Sequence, residues 1–266
     1  MTHPIALFGV SGRMGRSVLK ALSGHLDLAL SGATASPESP RLGEVVSGES
    51  GATVKVVSDP AIALRGAQPA IDFSHAGAVD GNLAACMAAR MPVVIAVTGL
   101  EAATREAIER ASKHIPIVLA ANTSLGVTVM LKIAALAAAA LPPNYDIEIS
   151  ESHHRMKRDA PSGTALSLGE AAARARGRSL KDAAVFSRHG NMPPRARGTI
   201  GFSVVRAGDI VGVHTVLYAG DDETLEITHR VSDRICFARG ALAAAQWLIG
   251  RPAGLYAMDD VLEKLA

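Results

Sequence analysis

Ile5-Ala6-Leu7-Phe8 is an apolar run of strand length, and it leads at once into glycines at positions 9, 12 and 15. The residues that follow, Arg16-Ser17-Val18-Leu19-Lys20-Ala21-Leu22, carry the pattern of a helix. Five more apolar runs follow, at residues 26–33, 53–57, 70–73, 92–97 and 115–120. Between the later runs lie residues 78–90 and 101–114. Both are long enough for helices and have apolar residues at helical spacing (Leu83 and Met87; Ile108, Ala111 and Ile115). Short β-branched runs alternating with helices predict a parallel sheet with helices on both faces. Ligands of such sheets bind at the carboxyl ends of the strands. The residues to watch are therefore Gly9, Ala35, Phe73-Ser74-His75, Ala96-Val97-Thr98 and Ala120-Ala121-Asn122-Thr123.

After Thr123 the pattern changes. Residues 126–141 read as a helix stopped by Pro142-Pro143-Asn144. Residues 145–150 alternate apolar and acidic positions, as a half-buried strand does. Residues 162–176 read as a helix with Ser162 as its N-cap. Three strand-like stretches follow at 199–205, 210–218 and 225–231, separated by the turns Ala207-Gly208-Asp209 and Gly220-Asp221-Asp222. They predict an antiparallel meander whose long strands offer an oligomer surface. Residues 234–249 form an Ala-rich helical tail and 259–265 a short helix. A helical tail after a meander predicts a return to the first domain. The expected class is α/β: a Rossmann-type parallel sheet domain (residues 1–124 plus 234–266) with an inserted α+β domain (residues 125–233).

Two segments carry chemistry. In the turn Gly9-Val10-Ser11-Gly12-Arg13-Met14-Gly15, the first glycine permits a tight exit from the strand. The second lets the backbone approach a pyrophosphate, and the third lets helix and strand pack closely. The phosphates would sit on the amides and the positive dipole end of the helix. The spacing is G-x-x-G-x-x-G, because Ser11 holds the position where the commoner form has its second glycine. The densest set of titratable groups is Glu151-Ser152-His153-His154-Arg155-Met156-Lys157-Arg158-Asp159, followed by Ala160-Pro161-Ser162-Gly163-Thr164. Five possible cations fall within residues 153–158, at a strand end and just before a helix start. Arg and Lys bind carboxylates or phosphates, His moves protons near neutral pH, and the amides at Gly163-Thr164 form a second anion cradle. The cluster suits a small dianion that must also be protonated. Zinc is disfavoured, since no Cys or carboxylate stands at ligand spacing from His153 and His154; no metal is expected.

Composition narrows the class. With 48% apolar and 20% charged residues, the chain can build a substantial core. A net charge of +2, from 27 basic and 25 acidic residues, argues against a general nucleic-acid binder. Cys86 and Cys236 lie far apart in apolar helical settings and read as two buried thiols in a reducing compartment. No basic stretch precedes an apolar segment at the N-terminus, and no apolar run is long enough to span a membrane, so a soluble cytoplasmic protein is expected.

These residues together resemble the 4-hydroxy-tetrahydrodipicolinate reductase (dihydrodipicolinate reductase) family. The matching segments are Gly9-Val10-Ser11-Gly12-Arg13-Met14-Gly15-Arg16, Ile71-Asp72-Phe73-Ser74, Ala120-Ala121-Asn122-Thr123-Ser124-Leu125-Gly126-Val127, Glu151 through Ala165, Gly198-Thr199-Ile200-Gly201-Phe202 and Arg206-Ala207-Gly208-Asp209-Ile210-Val211-Gly212. The likeness runs from end to end, and the string E-x-H-H-x-x-K-x-D-x-P-S-G-T is its most specific part. The resemblance implies a reductase of diaminopimelate and lysine biosynthesis. The family reduces the cyclic dehydration product of its substrate to tetrahydrodipicolinate with NADPH or NADH. It implies His153 as the acid/base group, Lys157 as the proton donor working with it, and His154, Gly163 and Thr164 as substrate contacts. Gly9, Val10, Ser11, Gly12, Arg13 and Met14 would hold the dinucleotide. Ala96, Val97, Thr98, Ala120, Ala121, Asn122 and Thr123 would line its nicotinamide end. Residues 125–233 would bind the dicarboxylate substrate and form a homotetramer.

The chain departs from the family pattern in three places, one of them Met156, which stands where the family often has a polar residue and reads as a packing position. Where an acidic residue commonly binds the adenosine ribose, it has Ala35-Ser36, with Glu38 beyond Pro37. The missing acid removes a barrier to the extra phosphate of NADP, which Arg13 and Ser36 could face. NADPH is expected, with NADH also used. Ala96-Val97-Thr98 stands where the family often has Gly-Thr-Thr-Gly, so contacts there would come from backbone. The alternatives are another NAD(P)-dependent semialdehyde or imine reductase and a non-catalytic dinucleotide-sensing regulator. A semialdehyde dehydrogenase would usually need a nucleophilic Cys, which the settings of Cys86 and Cys236 disfavour. The near-neutral charge and the His-Lys cluster disfavour a regulator.

Overall fold

A computed structural model describes residues 2–47 and 53–263 of the 266. In chain order its elements are β1 (His3–Phe8), α1 (Arg13–Leu22), β2 (Leu28–Thr34), β3 (Val45–Ser47), β4 (Thr53–Val57), α2 (Pro60–Ala63), β5 (Ala70–Asp72), α3 (Val79–Ala89), β6 (Val93–Ile95), α4 (Ala102–Ala111) and β7 (Pro116–Leu119). Next come α5 (Leu125–Ala140), β8 (Asp146–His153), α6 (Gly163–Ala175), α7 (Leu180–Ala183), β9 (Ala184–Val185), β10 (Ile200–Arg206), β11 (Gly212–Ala219) and β12 (Thr224–Val231). The chain ends with α8 (Ile235–Leu248), β13 (Gly254–Tyr256) and α9 (Met258–Leu262). Residues 264–265 of the expected last helix lie outside the described residues. The chain divides into two compact units, Met1–Leu125 with Arg234–Ala266, and Gly126–Asp233.

The first unit holds an eight-stranded sheet in the order β13-β7-β6-β5-β1-β2-β4-β3. Its pairings are parallel except that of β3 with β4. Strand β1 shows why both faces are covered. Ile5 and Leu7 join a core with Val18 and Leu22 of α1 and Ala241, Leu242 and Leu248 of α8. Ala6 and Phe8 point the other way, into a core with Leu83 and Cys86 of α3 and Ile108 of α4. The α/β reading of the first half is thereby borne out. Three short strands were not anticipated: β3, β13 and, in the second unit, β9. The strand order reverses between β1 and β5, and the crevice at such a switch point is where open α/β sheets bind ligands.

The second unit holds a five-stranded mixed sheet, β12-β11-β8-β10-β9. Here the meander expectation is corrected. Only β11 and β12 form an antiparallel hairpin. Strand β10 pairs parallel with β8, and β8 lies between β10 and β11. The reason is burial. Ile147 and Ile149 of β8 need apolar neighbours on both sides, and Ile200 and Phe202 supply one flank while Val216 and Tyr218 supply the other. Met130 and Ala134 of α5 and Leu168 and Ala172 of α6 join that core.

Two expectations on packing are corrected. Cys86 is buried, but Cys236 is only half-buried, in the first turn of α8. Met156 is 77% exposed, so it is not a packing position.

Candidate active site

The glycine turn links the end of β1 to α1. Gly9 adopts φ +81°, and a Cβ there would lie 2.6 Å from the Phe73 carbonyl oxygen after β5. A Cβ on Gly15 would lie 2.3 Å from the Gly9 oxygen, so only a bare backbone lets α1 approach the turn. Gly12 differs: a Cβ would meet nothing nearer than the Gly9 oxygen at 3.4 Å. The protein itself would tolerate a side chain at Gly12, which is exposed. Its bareness keeps open the approach to the first amides of α1, and that fits a pyrophosphate.

The other strand-end residues named from sequence gather on the same rim. Gly9 and Val10 both donate their amides to the Thr34 carbonyl, and Ala35 donates to Val57. Ala96 donates to Asp72 and Ala120 to Ile95, so these ends are tied strand to strand. Ser36, Arg13, Thr98 and Ala121 are exposed, and Ser11, Met14, Ala96 and Asn122 half-buried. Val10, Ala35, Val97 and Ala120 turn their side chains into the apolar cores and offer a ligand only backbone. Thr123 is buried, and its hydroxyl donates to the Phe237 carbonyl at 2.7 Å. At the end of β5, the buried Asp72 carboxylate accepts from the Ser74 amide at 2.8 Å and from the Asn82 amide at 2.9 Å. Burial raises its pKa, against those hydrogen bonds.

In the second unit, β8 extends to His153, beyond the strand read from sequence. Its inward face continues Ile147, Ile149, Glu151, His153, and all four are buried. Glu151 is the hub. Its Oε2 receives His153 Nδ1 at 2.5 Å and Arg206 Nη1 at 2.7 Å; its Oε1 receives the Ser162 amide at 2.9 Å and Arg206 Nη2 at 2.7 Å. Burial alone would raise the Glu151 pKa, but Arg206, His153 and the Ser162 amide outweigh it and hold the group ionised. Burial lowers the His153 pKa, assisted by the charges of Lys157 and Arg206 and opposed by Glu151; the net shift is downward.

Lys157 is half-buried, with Nζ 2.8 Å from Asp159 Oδ2. Partial burial works against the Asp159 carboxylate, and the Lys157 ammonium more than offsets it, so the Asp159 pKa is lowered. The Lys157 amide donates to the His154 carbonyl, which folds residues 154–157 into a turn. Ser162 caps α6, its hydroxyl accepting from the Ala165 amide. Gly163 and Thr164 open the first turn of α6, so their amides point out of its N-terminal end. His214 on β11 stands opposite Glu151, bonds Ser162 Oγ through Nε2 at 2.9 Å and meets the His153 ring edge-on at 5.0 Å. Burial, chiefly, pushes the His214 pKa down to about 4. The structure thus brings His153, Lys157, His154, Gly163 and Thr164 together in one unit, and the strand-end residues together in the other.

Comparison with known proteins gives this arrangement a family. A family model described as dihydrodipicolinate reductase, N-terminus, matches residues 3–123, and one described as dihydrodipicolinate reductase, C-terminus, matches residues 126–262. The 4-hydroxy-tetrahydrodipicolinate reductase of Thiobacillus denitrificans is 48% identical over 264 residues, covering 98% of this chain and 99% of its own. That of Nitrosomonas eutropha is 46% identical over 260 residues, covering 97% of each. The chain belongs to the dihydrodipicolinate reductase family. A dipicolinate-bound dihydrodipicolinate reductase from a Paenisporosarcina species superposes with a TM-score of 0.79 at 21% identity, covering 98% of this chain and 99% of that one, so the fold is shared as well.

Three members of this second-unit cluster are not picked out by the sequence alone: Glu151, Arg206 and His214. The signal for Glu151 was available. In Asp146-Ile147-Glu148-Ile149-Ser150-Glu151-Ser152-His153, strict alternation puts Glu151 and His153 on the face of the two isoleucines. A carboxylate at a core position needs partners. Arg206 and His214 carried no such local sign, because their meeting with Glu151 depends on strand order.

Proposed function

We propose that this chain is a 4-hydroxy-tetrahydrodipicolinate reductase that draws hydride from NADPH or NADH. The observation that carries the reading is the buried His153, its Nδ1 held by Glu151, beside Lys157 and the helix start Gly163-Thr164. The family relatives act on a substrate of the matching chemistry, and the glycine turn of the other unit fits a dinucleotide. The first unit would hold the cofactor through Gly9, Val10, Ser11, Gly12, Arg13 and Met14 at its pyrophosphate. Ala96, Val97, Thr98, Ala120, Ala121, Asn122 and Thr123 would line its nicotinamide end. The bound cofactor supplies the hydride, and this chain's own residues do the rest.

The substrate is a ring dicarboxylate. Its carboxylates need fixed donors, and the amides of Gly163 and Thr164 with the His154 side chain provide them. Reduction of a conjugated carbon–nitrogen system requires one proton besides the hydride. Lys157 is the donor, and its cation stabilises the charge that builds as the electrons arrive. Its neighbour Asp159 keeps the ammonium oriented. His153, neutral near pH 7 because burial lowers its pKa, accepts and returns protons at Nε2, since Nδ1 is committed to Glu151.

Lys157→Ala tests this reading. Oxidation of the nucleotide, followed at 340 nm with freshly generated substrate, should fall far more than nucleotide affinity does. Near-normal turnover would remove Lys157 as donor. For His153→Ala, an unaltered pH–rate profile would remove its acid/base role.

Finer features belong to the same proposal. Ser36 and Arg13 are exposed and no carboxylate follows β2 directly, so NADPH is preferred and NADH accepted. A kcat/KM for NADH far above that for NADPH would reverse this. The face of the second sheet away from its core carries Ser150, Thr215, Leu217 and Thr228, none of them buried. It is the surface for a homotetramer, checked by light scattering against four times the 27.5 kDa chain mass. Among the described residues no helix is long and apolar enough to cross a membrane. We assign the enzyme to the cytoplasm, to diaminopimelate and lysine biosynthesis, and to no nucleic-acid partner.

A further inference from the structure

We propose that Glu151 is a positioning residue for proton transfer: it locks His153 into the tautomer that presents a lone pair at Nε2, and in the same stroke it fixes the helix start that receives a substrate carboxylate. The inference rests on the reading of His153 as the acid/base group.

The hydrogens around Glu151 decide the tautomer. An ionised carboxylate accepts and never donates. Every group on Glu151 must therefore bring a hydrogen, and His153 Nδ1 is one of them, at 2.5 Å. The other neutral tautomer would aim the Nδ1 lone pair at a carboxylate oxygen at that distance, which is repulsive. Arg206 spans both oxygens, at 2.7 Å each, and keeps the carboxylate charged. With 2% of its surface exposed, Glu151 has no water to exchange for these partners. Nε2 is left as the ring atom that meets a ligand. The ring plane is set by the edge-on contact with His214 at 5.0 Å. Gly212 leaves room on the Nε2 side, where a Cβ would come within 3.1 Å of that nitrogen.

The other oxygen, Oε1, accepts the Ser162 amide at 2.9 Å, immediately before Gly163 and Thr164. One carboxylate therefore holds the proton-carrying ring through one oxygen and the start of α6 through the other, and Arg206 ties the two oxygens together.

A double-mutant cycle tests the first half. The charged and titratable groups facing His153 are Glu151 on its own strand, Lys157 in the following turn, Arg206 from β10 and His214 from β11. Of these only Glu151 raises the ring's affinity for a proton by both charge and hydrogen bond. Glu151→Gln should lower kcat about 10- to 100-fold. It should also move the limb of the pH–rate profile that His153→Ala abolishes to lower pH, and leave nucleotide affinity within about 2-fold. The substrate KM should rise, reporting the loosened helix start. In a His153→Ala background, Glu151→Gln should change kcat by less than about 3-fold, because the group it acts through is gone. Equal losses in both backgrounds, with His153→Ala itself impaired, would make Glu151 merely structural and overturn the proposal. If His153→Ala retained its turnover and pH profile, the parent reading would fall instead. The tautomer can be read without any variant, from the imidazole nitrogen shifts of histidine-labelled wild-type protein. A proton on Nδ1 of His153 supports the proposal, and a proton on Nε2 with Nδ1 bare overturns it even if Glu151→Gln does not fold.

Discussion

Replacing His214 by Phe should make the second unit markedly less sensitive to acid. His214 is 4% exposed, sits on β11 against Glu151 and His153, and has a pKa pushed from 6.5 down to about 4, chiefly by burial. A depressed folded-state pKa means that the unfolded chain takes up a proton that the folded chain refuses. Stability from this group is complete above about pH 6.5, is lost as pH falls toward about 4, and changes no further below that. Between pH 8 and pH 5 the loss works out at about 2 kcal/mol, and the full span at about 3 kcal/mol. Phe keeps the ring that meets His153 edge-on and cannot titrate. Ser162 still caps α6 through its bond from the Ala165 amide. His153 and His229 also have lowered pKa values, but both proteins share them, so the comparison isolates His214. Urea unfolding followed by far-UV circular dichroism at the two pH values gives the difference. Trp247, the only tryptophan, lies in α8 of the first unit and reports separately on that unit. Equal losses for wild type and His214→Phe between pH 8 and pH 5 would refute the reasoning.

Three other outcomes follow from the same geometry. Gly15→Ala puts a Cβ 2.3 Å from the Gly9 oxygen and should cost about 1–3 kcal/mol of stability, whereas Gly12→Ala should fold normally and weaken nucleotide binding at least about 10-fold. Thermal melts beside NADPH fluorescence titrations separate the two, and a Gly12→Ala protein with unchanged affinity would count against the pyrophosphate site. Asn82→Leu removes the amide that donates to the buried Asp72 carboxylate at 2.9 Å, and should cost about 2 kcal/mol in urea unfolding; a loss below about 0.5 kcal/mol would show that Asp72 does not depend on it. A thiol reagent should modify half-buried Cys236 well before Cys86, which is buried with its pKa raised by burial, and Cys236→Ser should abolish the fast phase of labelling.

What the sequence disclosed was decided locally. The turn after β1 could be read because each glycine answers to a neighbour within a few positions or to the next strand end. The same holds for the Ser162 cap, whose acceptor bond spans three residues, and for the strand ends, since a parallel sheet puts all its carboxyl ends on one rim. Strand order was another matter. Residues 207–209 form a turn between two long strands, and turn chemistry of that kind normally announces neighbours. Here β10 and β11 flank β8 instead, because the isoleucines of β8 take apolar contacts from both. The short strand β13 was missed for a related reason: Gly254-Leu255-Tyr256 has too little pattern to declare itself and exists because the edge of β7 is there to pair with.

That strand order makes the chemistry. On an edge strand, Glu151 and His153 would have one flank open to water, and water would compete for the Nδ1 hydrogen and for both carboxylate oxygens. In the middle of the sheet Glu151 lies between Val204 and His214, and His153 is paired with Arg206. In the β8–β10 register Arg206 faces His153, close enough for its guanidinium to span the Glu151 carboxylate. In the β8–β11 register His214 faces Glu151 and reaches Ser162. One flank contributes permanent positive charge and the other a ring that burial keeps neutral. The carboxylate between them stays ionised with only 2% of its surface exposed, and its negative charge is directed at Nδ1 of His153 and at the start of α6. A charge at that depth is tolerable only with its partners in place. The parallel pairing of β10 with β8 is therefore what permits a glutamate on the core face at all.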